Sequence, residues 1–197
     1  PNKKSGIPSL TKYFAHGEKG WKIRGIEIRQ HSTCNWIRKM QTDMLKNLQL
    51  GPPEKMVKQT INIFFEVISN LARGEVPLAD LVISRRVRKR PEEYRVSNLT
   101  LAALLRGRLL GKEDPLGRKT HFVVVNGSRG EPVERIRLRS EIDSNCSSSA
   151  INRDGIEFYK ALALRASLSI LSPFGITEDI LLNGGLVQTT IDDWSTG

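Results

Sequence analysis

A mainly helical α+β fold, with a small antiparallel sheet and a β-hairpin ahead of it, is the class that this 197-residue sequence predicts. Three observations carry the expectation. Residues 35–48, 54–73 and 154–171 space their apolar side chains at helical period, and 99–110 is rich in leucine and alanine. THFVVV, Thr120–Val125, is the clearest strand, and Asn126-Gly127 behind it is a strong turn signal. Apolar and charged residues alternate through Lys22–Gln30, as in one arm of a hairpin.

Taken in order, residues 1–12 read as a loose basic terminus. Tyr13-Phe14, a turn through His16–Gly20 and an arm from Trp21 to Gln30 make the hairpin. Ser32 or Thr33 is placed to cap the first helix, whose stripe is Trp36, Ile37, Met40, Met44, Leu45 and Leu48. Gly51-Pro52-Pro53 stops it. The second helix, from Glu54 to about Arg73, should bury Val57, Ile61, Phe64, Phe65, Ile68 and Leu71, and end at Gly74. Leu78–Ser84 reads as extended, the run RRVRKR follows, and Pro91 opens a short helix with Glu92 and Glu93 in its first turn. Val133, Ile136 and Leu138 suggest more β structure. Asp143–Asn152 is a serine-rich loop, Asp154 caps or precedes the last long helix, and Pro173 and Gly175 end it. Glu178–Leu182 adds a short turn, and the remainder is expected to be a flexible tail. No internal repeat is present.

Charge is unevenly spread. Of the net +10, residues 1–100 hold all: 19 Lys or Arg face nine Asp or Glu there, and 12 face 12 in residues 101–197. A polyanion is the natural partner of such a surface, a solvated basic face the alternative. No stretch approaches the 18 uncharged apolar residues of a membrane span. The basic first residues lead into no signal-peptide core, so a cytoplasmic location is expected. Cys34 and Cys146 are too few for a disulfide framework.

The chemistry of an active site is not visible. No phosphate-binding glycine loop, dinucleotide fingerprint, H-E-x-x-H or zinc-spaced cysteine pair occurs. His31 and Cys34 find no second pair to complete a metal site, His121 at a strand start reads as structural, and Asp192-Asp193 lies in the tail. Neither catalytic nor metal-ligating residues are expected. Arg85, Arg86, Arg88, Lys89 and Arg90 carry more information: five adjacent cations repel one another unless anions are near. A nucleic-acid backbone supplies them, as does solvent for a plain loop. Aromatics are only 6% of the chain, which favours duplex backbone over stacked single strands.

KIRGIEIRQ, Lys22–Gln30, is followed by HSTCNWIRKMQTDML. Together they resemble the end of the palm and the start of the thumb in archaeal family B DNA polymerases, and the likeness continues in order across residues 11–182. DLVISR, Asp80–Arg85, and the Glu93-Tyr94 pair resemble thumb segments. Thr120–Val125 with Gly127–Gly130 resembles a strand and turn, and Asp154–Gly175 the final thumb helix. The family's palm motifs, D-x-x-S-L-Y-P and Y-x-D-T-D, and its fingers motif K-x-x-x-N-S-x-Y-G do not occur.

The resemblance implies the small subunit of a split DNA polymerase, inactive alone, with a domain excised from a single-chain polymerase or a truncated gene product as alternatives; residues 1–31 would be a palm edge, 32–184 a thumb and 185–197 a tail. It implies a large subunit as partner, carrying the palm aspartates, the fingers and the Mg²⁺, with no cofactor bound by this chain. Arg85, Arg86, Arg88, Lys89 and Arg90 would then hold primer–template DNA. Lys12 and Tyr13 would lie near the primer, and Arg24, Glu27 and Arg29 would fix the palm edge by ion pairs. Gln188, Ile191 and Trp194, spaced Q-x-x-I-x-x-W, resemble a sliding-clamp peptide. The other reading is a stand-alone duplex-binding or clamp-binding accessory protein without enzymatic activity.

Overall fold

A computed structural model describes residues 13–17, 20–49, 52–127, 131–143 and 145–183. The chain opens on an antiparallel hairpin, β1 (Tyr13–Gly17) and β2 (Gly20–Arg24). Phe14 faces Ile23 and His16 faces Trp21 in the register, so these four share one side. Phe14, Trp21 and Ile23 pack on the core, and the indole meets His16 at 5.1 Å and Phe14 at 5.9 Å. Tyr13, Lys22 and Arg24 share the outer side.

The second arm is shorter than the alternation predicts. Gly25, at φ +74°, turns the chain into a 3-10 turn at Glu27–Arg29. Gln41, fully buried, explains the departure. Its Oε1 accepts the Ile28 N–H at 2.6 Å, and its Nε2 donates to Glu27 Oε2 at 3.0 Å and to the Ala166 carbonyl at 2.9 Å. A buried amide satisfied by three partners outweighs a local β preference.

Helices α1 (Asn35–Asn47), α2 (Pro53–Ala72) and α4 (Arg153–Leu171) pack against one another as a three-helix layer. Neither Ser32 nor Thr33 caps α1. The N-cap is Cys34, 2% exposed, because that side chain belongs to the core. On α2 the expected stripe is narrower: Val57, Ile61, Phe64 and Leu71 are buried, whereas Phe65 lies at its margin, edge-on to Phe64. Gly74, at φ +79°, lets the chain reverse after α2, as predicted. Asn152, not Asp154, caps α4, its Oδ1 accepting the Gly155 N–H at 2.9 Å. A Cβ on Gly155 would lie 2.7 Å from the Val125 carbonyl oxygen, so only glycine lets α4 approach the sheet this closely.

The second sheet runs β3 (Ile83–Arg86), β4 (Lys119–Val124) and β5 (Ile136–Leu138), antiparallel, with β3 at one edge. Leu78–Leu81 is a 3-10 turn rather than strand. Ile83 pairs with Phe122, which places Leu81 opposite Val124 one rung on. That rung is made by a side chain from α4. The Tyr159 hydroxyl accepts the Val124 N–H at 3.0 Å and donates to the Leu81 carbonyl at 2.9 Å. Tyr159 is fully buried and edge-on to Trp36. Burial drives its phenol pKa well above the usual value, so it remains a donor.

Helix α3 (Leu99–Leu109) is capped by Asn98 Oδ1, which accepts the Thr100 and Leu101 N–H groups at 3.0 Å, and packs on β4 and β5. Thr177 caps the short α5 (Glu178–Leu182). Among the described residues no helix is long and apolar enough to cross a membrane.

Arg106 on α3 meets Glu141 through Nη2 at 2.5 Å, with both side chains largely shielded. Burial disfavours the Glu141 carboxylate. Hydrogen bonds from Arg106 and the Leu138 N–H, with the Arg106 charge, more than offset it, so its pKa lies below the ordinary glutamate value. A depressed folded pKa adds stability that is complete above the unfolded value, about 4.3. It is lost as pH falls through the folded pKa. Glu141→Gln is therefore expected to cost about 1–3 kcal/mol at pH 7 and to shrink the gap to wild type near pH 3, measured by urea denaturation.

Candidate nucleic-acid interface

The basic run is laid out by β3 and the loop after it. Ile83 points into the core, and Ser84 meets His121 Nδ1 at 2.8 Å on the exposed side. Arg85 then pairs across the sheet with Thr120, and Arg86 with Lys119. Val87 pins the chain: its side chain is fully buried, its N–H reaches the Arg118 carbonyl at 2.9 Å, and its own carbonyl accepts the Gly117 N–H at 2.9 Å. Arg88, Lys89 and Arg90 are exposed between that anchor and buried Pro91. The 3-10 turn Pro91–Glu93 closes when Glu93 Oε2 accepts the Arg90 N–H at 2.5 Å.

Strand alternation divides the run, because neighbouring strand residues face opposite ways. Arg86, Arg88 and Lys89 line an open concavity of about 710 Å³ together with Arg95 and Tyr94. Arg85 lines a smaller cleft of about 210 Å³ with Arg165, Ser32 and Thr33. Arg90 lines neither.

Several cations elsewhere are paired. Lys39 Nζ meets Asp80 Oδ2 at 2.7 Å, Arg73 meets Glu75 at 2.8 Å, and Arg108 sits between Asp114, at 2.6 Å, and Glu92. Arg108 holds the Glu92 carboxyl below its usual pKa. Around β3 a dense group of cations lacks such partners. Among the described residues, Arg85, Arg86, Arg88, Lys89, Arg90, Arg95, Arg118 and Lys119 form no ion pair. A surface with that much uncompensated charge attracts polyanions.

Arg95, Arg118 and Lys119 belong to this surface although the sequence does not single them out; Tyr94, marked in the sequence only by its likeness to a thumb segment, lines the concavity with Arg95. Lys119 and Arg118 join it only through the β3–β4 register, which no local pattern encodes. Arg95 and Tyr94 lie beyond Pro91, outside the continuous run of charge, and the loop returns them to it.

The remaining expected positions are dispersed. Tyr13 opens β1 opposite Arg24, half-buried, on the outer side of the hairpin. Lys12 and the tail positions Gln188, Ile191 and Trp194 lie outside the described residues. Glu27 is held by the Gln41 amide rather than by a cation. Arg24 and Arg29 make no ion pair among the described residues. His31 is exposed, whereas the Cys34 thiol is buried and burial pushes its pKa up to about 11. Among the described residues no three His, Cys, Asp or Glu come together to hold a metal ion.

Known proteins share both this sequence and this fold. A profile described as DNA polymerase family B matches residues 3–159. The chain is 25% identical over 183 residues to the DNA polymerase of Archaeoglobus fulgidus, spanning 87% of this chain and 22% of that one. It is 31% identical over 166 residues to DNA polymerase 2 of Aeropyrum pernix, covering 80% and 19%. To the DNA polymerase delta catalytic subunit of Dictyostelium discoideum it is 26% identical over 180 residues, covering 89% and 16%. The chain thus spans about a fifth of the length of these relatives. In fold it superimposes on the family B DNA polymerase of the hyperthermophilic archaeon Pyrobaculum calidifontis with a TM-score of 0.65, at 19% identity, over 84% of this chain and 21% of that one.

Proposed function

The chain belongs to DNA polymerase family B, and from that premise we propose that it is the thumb-bearing small subunit of a split DNA-directed DNA polymerase. Residues 1–31 form the palm edge, 32–184 the thumb, and 185–197 a tail carrying a clamp-binding peptide at Gln188, Ile191 and Trp194. The observation that carries the reading is the unpaired cationic surface around β3 in a chain of this family. Such a surface holds primer–template duplex by phosphate contacts that position without reading sequence. The hairpin supports a junction with a second polypeptide, since two strands alone are marginally stable and among the described residues no third strand pairs with β1–β2.

The reaction is addition of a nucleotide to a DNA 3′ end with release of pyrophosphate. This chain's contribution is placement of the primer end. A displacement of about 1 Å can cost on the order of a hundredfold in rate, so a thumb matters without touching the reacting atoms. The described residues do not fit a Mg²⁺ site; the metal belongs with the partner's palm aspartates.

Primer extension tests the reading. Neither this chain nor a large family B polypeptide bearing the palm aspartates should extend a primer efficiently alone, and the mixture should. If the two do not associate and extension is unchanged while duplex DNA is still bound, the stand-alone duplex-binding reading replaces this one. For the tail, Trp194→Ala should weaken sliding-clamp binding; unchanged affinity would remove that assignment.

A further inference from the structure

We propose that the concavity beside β3 is a binding site for an unpaired nucleotide, whose base lies on Tyr94 and Val96 while its phosphates meet Arg86, Arg88, Lys89 and Arg95. The proposal rests on the reading of this chain as DNA-binding and goes beyond duplex contact. A duplex backbone asks only for cations, and the concavity contains more than those. Val96, at 74%, is the most exposed large hydrophobic residue described, and it lines the same walls as the four cations. Tyr94 is half-buried and lines them too. Among the described residues its ring contacts no other aromatic ring. Neither an aromatic face nor an isopropyl group serves a phosphate, but both serve the flat face of a base.

Size agrees with this. At about 710 Å³ the concavity falls within the roughly 300–1,000 Å³ of small-ligand sites. Its lining leaves a cationic excess, with one carboxylate, Glu93, against four cations. Glu93 Oε2 is engaged by the Arg90 N–H, and Asn98 Oδ1 by the first turn of α3. The four cations have no ion-pair partner among the described residues. The segment is braced on both sides, by Pro91 in the core and by the α3 cap, so Tyr94 and Val96 are held near the cations. Stacking of this kind is indifferent to base identity, because every base offers a π-face.

The test compares a fluorescently labelled oligothymidylate, an abasic deoxyribose-phosphate strand of equal length, and a blunt duplex, each titrated with the full chain. The wild type should bind the base-bearing strand about five- to a hundredfold more tightly than the abasic one. Tyr94→Leu should collapse that ratio toward one, lowering affinity for the base-bearing strand far more than for the abasic strand. Tyr94→Phe should preserve it, and Val96→Ser should reduce it. A wild-type ratio near one with normal duplex binding overturns the nucleotide site alone. Failure to bind either duplex or abasic strand overturns the underlying DNA reading. A ratio that survives in both Tyr94→Leu and Val96→Ser places the base elsewhere and also overturns the site; should Tyr94→Leu not fold, the wild-type ratio and Val96→Ser decide.

Discussion

Replacing Arg85, Arg86, Arg88, Lys89 and Arg90 together by Gln is expected to flatten the salt dependence of duplex binding more than any other surface change. Each cation that neutralises a phosphate adds about 0.9 to the slope of log K against log salt, so the slope should fall by up to about 4.5. The fold should hardly notice, because these side chains are exposed and surface substitutions are usually within about 0.5 kcal/mol. The division of the run sharpens the expectation. Arg86, Arg88 and Lys89 share one concavity and should act as a group, whereas Arg85 stands with Arg165 in a different cleft. Arg108→Gln is the control: that cation is already held by Glu92 and Asp114, so the slope should stay. A slope unchanged in the five-residue variant would remove the backbone-contact assignment.

Tyr159→Phe should be the most damaging single-atom deletion in the core. The hydroxyl satisfies the Val124 N–H and the Leu81 carbonyl at a fully buried point. Leaving both without partners is expected to cost about 2–6 kcal/mol, at about 1–3 for each buried group. Tyr159→Ala adds the loss of the ring, including its edge-on contact with Trp36, for about a further 3–5 kcal/mol. Urea denaturation reads both. Indifference to Tyr159→Phe would mean that water or a direct Leu81–Val124 bond replaces the rung.

Much of this architecture is legible in the sequence. Apolar periodicity places α1, α2 and α4, and leucine-alanine composition places α3, because each helix buries one continuous stripe. THFVVV before Asn-Gly places β4, since an apolar run of that length ahead of a turn signal has few other uses. Departures occur where a distant side chain decides local conformation. Gln41 claims the Ile28 N–H and turns a predicted strand into a 3-10 turn. Tyr159 inserts where Leu81 would have paired. Cys34 takes the cap position from its hydroxyl neighbours because the core needs it. The basic run is visible as charge. Its separation into two faces, and the recruitment of Lys119 opposite Arg86, depend on strand register. Val96 carries no signal of its own in the sequence and Tyr94 only a family likeness; the loop brings both beside four cations.

The long-range polar bonds have a kinetic consequence. Gln41 bonds to Ala166 across 125 residues, Tyr159 to Leu81 across 78, and the Ser148 hydroxyl to the Leu71 carbonyl across 77. Loop-closure entropy opposes contacts of such separation until late in folding. A chain emerging from the ribosome can form α1 and α2 early, yet Gln41 has no Ala166 to meet until α4 has been synthesised. Commitment to the native bundle is therefore postponed until that helix has left the exit tunnel, and the apolar stripes of α1 and α2 must wait for it without their third partner.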